Sequence, residues 1–424
     1  MGMLVVAGDE ANILERVVTT PTASPAEDSN YGVANLYDRF PQKPFRWGAS
    51  SSAGYISLDL NEITNGNMET LSSAGSTNLG TWIESNGGSG DVEQTTVAGE
   101  FSVGAAGMKL TAGTSSASAY QDIVLRSGEK FTVTVDSRST AAGISSRLRV
   151  QCLETGNYLS TDAAWGATAV DAITNATSSF ATVALSATVE AISITKQDLV
   201  HLRITALNNS TGNITYMDEL YVWPSVDFVS IHGHNLDPVV TVTLQSSTDS
   251  FTTTTTQATF TVGQPSFYTA LGTLQDIRYW RVQLSGTNST HSGIPYIGEL
   301  MVSQKLAPGD TIRYNPELVY TDWQVRSGAT PASARSYLLG DHETRALTMN
   351  FLYGSTANFA EALNAILRRS RFGHHPLVVV PLSSEADVIY GKIDESVSIT
   401  RPTMGLWETQ AITLTELPFP AFVS

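Results

Sequence analysis

The 424-residue chain is short of charge and of cysteine. Only 15% of its residues are Asp, Glu, Lys or Arg, against a usual share of about a quarter. The balance is acidic, with 24 basic and 40 acidic residues leaving −16. Nucleic acid and anionic membrane surfaces both need a concentrated positive patch. No segment is basic, so neither is expected as a partner. One cysteine, Cys152, excludes an intrachain disulfide and reads as a small core residue. No apolar run approaches the ~20 residues of a membrane span. The start "MGMLVVAGDEANI" has neither the basic region nor the apolar length of a signal peptide. A composition typical of secreted adhesion proteins thus meets the cysteine usage of a reducing compartment. A virion component, folded in a host cytoplasm and used outside it, reconciles the two.

Catalytic signatures are also missing. There is no G-x-S-x-G, no H-E-x-x-H and no phosphate loop. Asp218 and Glu219 are neighbours on alternate strand faces, not carboxylates flanking a cleft. No enzymatic activity is expected. His232 and His234 in "IHGHN" share a strand face, but no third ligand stands at metal-site spacing. They read as structural.

What the chain does have is alternation. "KFTVTVDSR" (130–138), "SRLRVQCLE" (146–154), "LVHLRITAL" (199–207), "VTVTLQSS" (240–247), "YWRVQLSG" (279–286) and "QAITLTEL" (410–417) each repeat with period two, as half-buried strands do. One helix is expected, over about 355–371 in "STANFAEALNAILRRSRFG". Phe359, Leu363, Ile366 and Leu367 form its stripe, and Arg368, Arg369 and Arg371 suit its C-terminal dipole. The pattern reads as mainly all-β.

The insertion is read from "YISLDLNEITNGNMETL" (55–71), which begins as a strand and then starts afresh. "SVDFVSIHGHNL" (225–236) continues the interrupted pattern, so 64–225 reads as a domain inserted in a hairpin loop. Its two ends should then be adjacent antiparallel strands. The host is 1–63 plus 226–304. In "ANLYDRFPQKPFRWGA" (34–49), "VSIHGHNL", "RYWRVQLSG" (278–286) and "YIGELMV" (296–302) it resembles discoidin-like sandwiches. The insert, in "NGNMET" (65–70), "GMKLTAG" (107–113), "AYQDIVLRSGEKFTVTVDSR" (119–138) and "TYMDELYVWP" (215–224), resembles the jelly-roll carbohydrate-binding modules of glycan-degrading enzymes. Host and C-terminal segment (305–424) together, with "RALTMNFLYGS" (345–355), "HHPLVVVPL" (374–382) and "LWETQAITLTELP" (406–418), resemble tail-tip proteins of long-tailed bacteriophages; the insert departs from that pattern.

These resemblances imply two jelly-roll sandwiches, one inserted in the other, and a C-terminal β-rich domain with one helix. They also imply a structural component of a phage tail tip or baseplate. It would pack with copies of itself and other tail proteins, and its insert would meet host-surface polysaccharide. A non-viral carbohydrate-binding adhesion protein is the alternative. Sugar binding asks for exposed rings, and Trp165, Tyr158, Trp82 and Tyr120 are the insert's candidates. Trp165, in the small-residue stretch "DAAWGAT", is the first choice; Trp47 of the host is expected to be buried. Similar sugar-binding modules hold a structural calcium near the insert's ends, which nominates Glu69 and Asp218; no other cofactor is implied. Assembly contacts are expected in 305–424, where twelve acidic residues face ten basic ones, and at Arg368, Arg369 and Arg371.

Overall fold

The computed structural model describes residues 4–305, apart from 8–11, 40–42, 51–52, 73–77, 86–89, 142, 193–198, 261, 263–265 and 289–292. Beyond these it describes 313–314, 317–326, 336–349, 351–353, 376–380, 388–393, 399–403, 406–409 and 412–417. The expected helix, with Arg368, Arg369 and Arg371, lies outside the described residues. Among the described residues the regular structure is strand, with two short 3-10 turns.

The alternation works as read. In Lys130–Ser139, Phe131, Val133 and Val135 are buried while Thr134, Asp136 and Arg138 look outward. Residues between 83 and 224 form a sandwich of two antiparallel sheets. One runs Trp165–Gly166, Tyr158–Leu159, Ser146–Cys152, Leu199–Asn208, Ala117–Arg126, Ile83–Glu84, with Ile173–Asn175 also on Ser146–Cys152. The other runs Ala181–Thr188, Lys130–Ser139, Ile214–Pro224, Gly107–Thr111, Asp91–Thr95. Their inner faces close one core, and Cys152 is fully buried in it.

A second sandwich surrounds the first in sequence. Ser266–Gln275, Val226–His234, Tyr296–Ser303 and Phe45–Arg46 make one sheet; Thr255–Phe260, Thr241–Ser247, Tyr279–Ser285, Ala53–Asp59 and Thr22–Ser24 make the other. Trp47 is buried in its core at 1% exposure, edge-on to Phe45. Ala53–Asp59 and Val226–His234, expected as a hairpin, fall in opposite sheets. A hairpin needs a short turn, and some 160 intervening residues remove that constraint. Ala53–Asp59 instead pairs along its full length with Tyr279–Ser285.

The insert's ends do meet, but as a strand against a turn. Glu62 N donates to Val222 O at 2.7 Å and Leu220 N to Gly66 O at 2.9 Å, while 64–67 form a turn. Gly66 is required there, since a Cβ would lie 2.0 Å from Leu220 O. A buried ion pair fixes the two sandwiches together. Arg16 donates to both oxygens of Glu129 at 2.7 Å, and Glu62 lies 3.7 Å from its Nε. Burial pushes the Glu129 carboxyl up, but Arg16 outweighs it and holds the group below the usual range.

The first strand departs from the expected 1–63 grouping. Leu4–Ala7 pairs antiparallel with Leu377–Val380, at the edge of a six-stranded sheet otherwise built from C-terminal strands. Composition gives an apolar tetrapeptide no address, and the distant "LVVV" supplies an equally apolar partner. That sheet rests on the host through Val378, Val380, Val388 and Tyr390 against Phe228 and Met301.

Candidate functional site

Period two decides what the insert's first sheet shows to solvent. In Ala117–Arg126, Ala119, Ile123 and Leu125 are buried, which turns Tyr120 and Asp122 outward. In Leu199–Asn208 the buried Val200, Leu202 and Ile204 leave His201, Arg203 and Thr205 outside. In Ser146–Cys152, Leu148, Val150 and Cys152 point in, and Arg147, Arg149 and Gln151 out.

Register aligns these residues in two rungs. Ile83, Tyr120, Thr205 and Arg149 are successive partners across one; Asp122, Arg203, Gln151 and Tyr158 across the next. At a strand spacing of ~4.8 Å, Asp122 and Tyr158 stand about 14 Å apart across the sheet. Each polar group is held. Arg203 reaches Asp122 with Nε at 2.8 Å and Nη2 at 2.9 Å, and its guanidinium lies 4.0 Å from the centre of the Tyr120 ring. That hydrogen-bonded pairing raises the Arg203 pKa. Gln151 Nε2 donates to the Tyr158 hydroxyl at 3.0 Å. Arg149 lies 5.7 Å from the Tyr158 ring centre and donates to Asp171, as Arg147 does. The face thus presents two phenol rings, an amide and guanidinium forks in fixed positions.

Tyr120 and Tyr158 are therefore brought together, and the two tryptophans are not. Trp165 pairs with Leu159, packs its half-buried ring on the core and donates Nε1 to Thr188 O at 2.8 Å. Trp82 is 5% exposed and donates Nε1 to Asn65 O at 3.2 Å. Trp82 thus fills the core and satisfies its N–H internally, which leaves no face for a ligand. Trp82 leaves the candidate set, and Trp165, partly buried, sits at the sandwich edge apart from the two tyrosines.

Glu69 and Asp218, nominated for calcium, both hold the loop over 102–106. Asp218 is fully buried. Its Oδ2 accepts Ser102 N, Val103 N and Ser102 Oγ at 2.9–3.0 Å, and its Oδ1 accepts Glu219 N at 2.8 Å. Burial pushes its carboxyl up, against the lowering by these N–H groups. Glu69 Oε1 accepts Ala105 N and Ala106 N at 2.7 and 3.1 Å. A Cβ on Gly104, whose φ is +75°, would meet that oxygen at 2.1 Å. Five N–H groups and one hydroxyl donate to these two carboxylates, which tie down the loop. Among the described residues no group of three metal-ligating side chains stands together.

Sequence reading missed Arg203, Asp122, Gln151, Arg149 and Asp171. The signal for three of them was present, because Arg203 and the Arg149–Gln151 pair occupy the polar positions of alternating strands.

No family model matches the chain, and no curated protein does. Among solved structures it is similar to the enzymatically active domain of tailspike protein 4 of bacteriophage CBA120. That match has 14% identity and TM-score 0.28, and covers 39% of this chain and 21% of the tailspike chain. It is similar to the tandem CBM22-1–CBM22-2 domain of Paenibacillus barcinonensis Xyn10C, with 8% identity and TM-score 0.27, over 61% of this chain and 99% of that one. It is also similar to TmCBM61, solved in complex with beta-1,4-galactotriose, with 13% identity and TM-score 0.25, over 39% of this chain and 98% of that one.

Proposed function

We propose that the chain is a non-catalytic structural component of a phage tail tip or baseplate, and that its inserted sandwich binds host-surface polysaccharide. The observation that carries the binding is the two-rung face of Tyr120, Arg203, Gln151 and Tyr158. Sugar rings present C–H faces that pack on phenol rings, and hydroxyls that take paired hydrogen bonds from guanidinium and amide groups. Groups already locked by Asp122 and Asp171 lose little freedom on binding, which favours affinity. The same pairings support a non-catalytic role. Asp122 and Asp171 are each engaged by arginine, whereas glycoside hydrolysis needs an acid and a base facing the bond. The virion role rests on the tail-tip resemblance and on the single cysteine.

The binding test is a polysaccharide array probed with the full chain and with Tyr120→Ala/Tyr158→Ala. The reading expects selective binding that the double variant loses while keeping its thermal melt. No binding, or an unchanged double variant, overturns it. For assembly, Arg369→Glu/Arg371→Glu should leave the chain folded but monomeric in light scattering. An unchanged oligomer removes that end of the expected helix as an interface.

A further inference from the structure

We propose that the bound polysaccharide is acidic, and that Arg147 and Arg149 receive its carboxylates. The inference rests on the glycan-binding reading above and adds the ligand's charge. Two guanidiniums share one counter-ion here. Arg147 Nη1 reaches Asp171 Oδ2 at 2.9 Å, while Arg149 Nε and Nη2 reach Oδ1 at 3.1 and 2.8 Å. The Asp171 side chain is 8% exposed, against 34% and 29% for the two arginines, so the anion lies beneath and the cations face solvent. One positive charge remains uncompensated at this spot. Residues 64–225 carry fifteen acidic and eight basic residues, so a surplus cation on an open face runs against the general charge.

The spare donors are also placed. Arg147 Nη2 and Arg149 Nη1 have no hydrogen-bond partner among the described residues. Arg203 differs: its fork is filled one-to-one by Asp122. The face is therefore graded along Ser146–Cys152. It is cationic at Arg147 and Arg149 and neutral at Gln151; just past the strand end it becomes acidic at Glu154, which binds His201. A sugar ring packed on Tyr158 would have a ring-borne carboxylate beside Arg149, 5.7 Å from that ring's centre. Carboxylate and guanidinium match in a planar, two-bond contact that a neutral hydroxyl cannot reproduce.

The test is an array of uronic-acid polymers (polygalacturonate, alginate, hyaluronan), neutral polymers (xylan, dextran, galactan) and single-stranded DNA, probed with the full chain. Expected is binding confined to the uronic-acid spots and weakened by salt. Two variants give opposite signs. Arg147→Gln should weaken binding to the uronates at least about tenfold, the scale of a charge-assisted hydrogen bond. Asp171→Asn, which removes the shared counter-ion, should tighten it. Binding to neutral polymers alone overturns this inference and leaves the glycan-binding reading standing. Binding to no polysaccharide overturns both, as does preference for DNA. Uronate binding that Arg147→Gln leaves unchanged overturns the assignment to this pair.

Discussion

The two outer faces of the inserted sandwich carry similar side chains and differ in who uses them. On the five-stranded side, Asp136, Arg138, Tyr216 and Asp218 stand where Asp122, Arg203 and Tyr120 stand on the other. There the chain's own loop over 97–106 has taken them. Ser102 donates to Asp136 and Asp218, Glu100 accepts the Tyr216 hydroxyl at 2.8 Å, and Tyr216 is 3% exposed. Arg138 lies between Tyr216 and Phe180, 4.4 and 5.5 Å from their ring centres. On the opposite side Tyr120 and Tyr158 are only partly buried. The same polar-aromatic chemistry does structural work beneath the 97–106 loop and, in the function proposed above, meets a ligand on the opposite face.

That contrast sets the order of the expected effects. Asp218→Ala should be the most damaging single change, because it strips the acceptor from three backbone N–H groups and a hydroxyl in a buried site. A loss of about 3 kcal/mol is the scale for orphaning such a set, read as a lower melting temperature. Polysaccharide binding below that temperature should survive. On the open face the pattern reverses. Tyr120→Ala or Arg203→Ala should weaken binding about tenfold, which is about 1.4 kcal/mol. Their melts should shift by under about 1 kcal/mol, because the Arg203–Asp122 pair is exposed. If Arg203→Ala destabilised the fold as much as Asp218→Ala does, the contrast between the faces would be lost.

Alkaline pH gives a smaller test of the closed face. Burial, then the bond to Glu100, pushes the Tyr216 phenol up to about 12. The folded chain keeps that proton where the unfolded chain loses it, so this group's contribution falls as pH rises from about 10 towards 12. Tyr216→Phe should flatten that part of the stability profile without touching polysaccharide binding. Acid acts on its partner: burial raises the Glu100 carboxyl, but bonds from Thr95 and Tyr216 outweigh it and hold the group low. Its contribution is present above the unfolded carboxylate value and fades as pH drops through the folded one.

Much of this was legible because period two is a strong signal. It marks Lys130–Ser139 and Ser146–Cys152 as half-buried strands, and Cys152 reads as a core residue; Tyr120 and Tyr158 stand out only as aromatic rings, and it is strand register that sets them on one outer face. It could not say which outer face a loop would cover, since the Ser102–Asp218 contact spans 116 residues. Nor could it weigh Trp165 against the core, because a tryptophan among small residues is as able to seal a sandwich edge at Thr188 as to greet a ligand. The carboxylates of Glu69 and Asp218 both bond to one loop. Their role turned on N–H donors of the 102–106 loop, which no side-chain pattern announces. The pairing of Leu4–Ala7 with Leu377–Val380 is the longest-range strand pairing among the described residues, and nothing local marks it.

The most direct measurement is oxidative footprinting of tyrosines in the full chain, read by mass spectrometry with and without the polysaccharide that the array selects. Protection of Tyr120 and Tyr158 with Tyr216 unchanged is the predicted result. Protection at the 97–106 loop, or anywhere else with Tyr120 and Tyr158 still reactive, would contradict the assignment of the binding face.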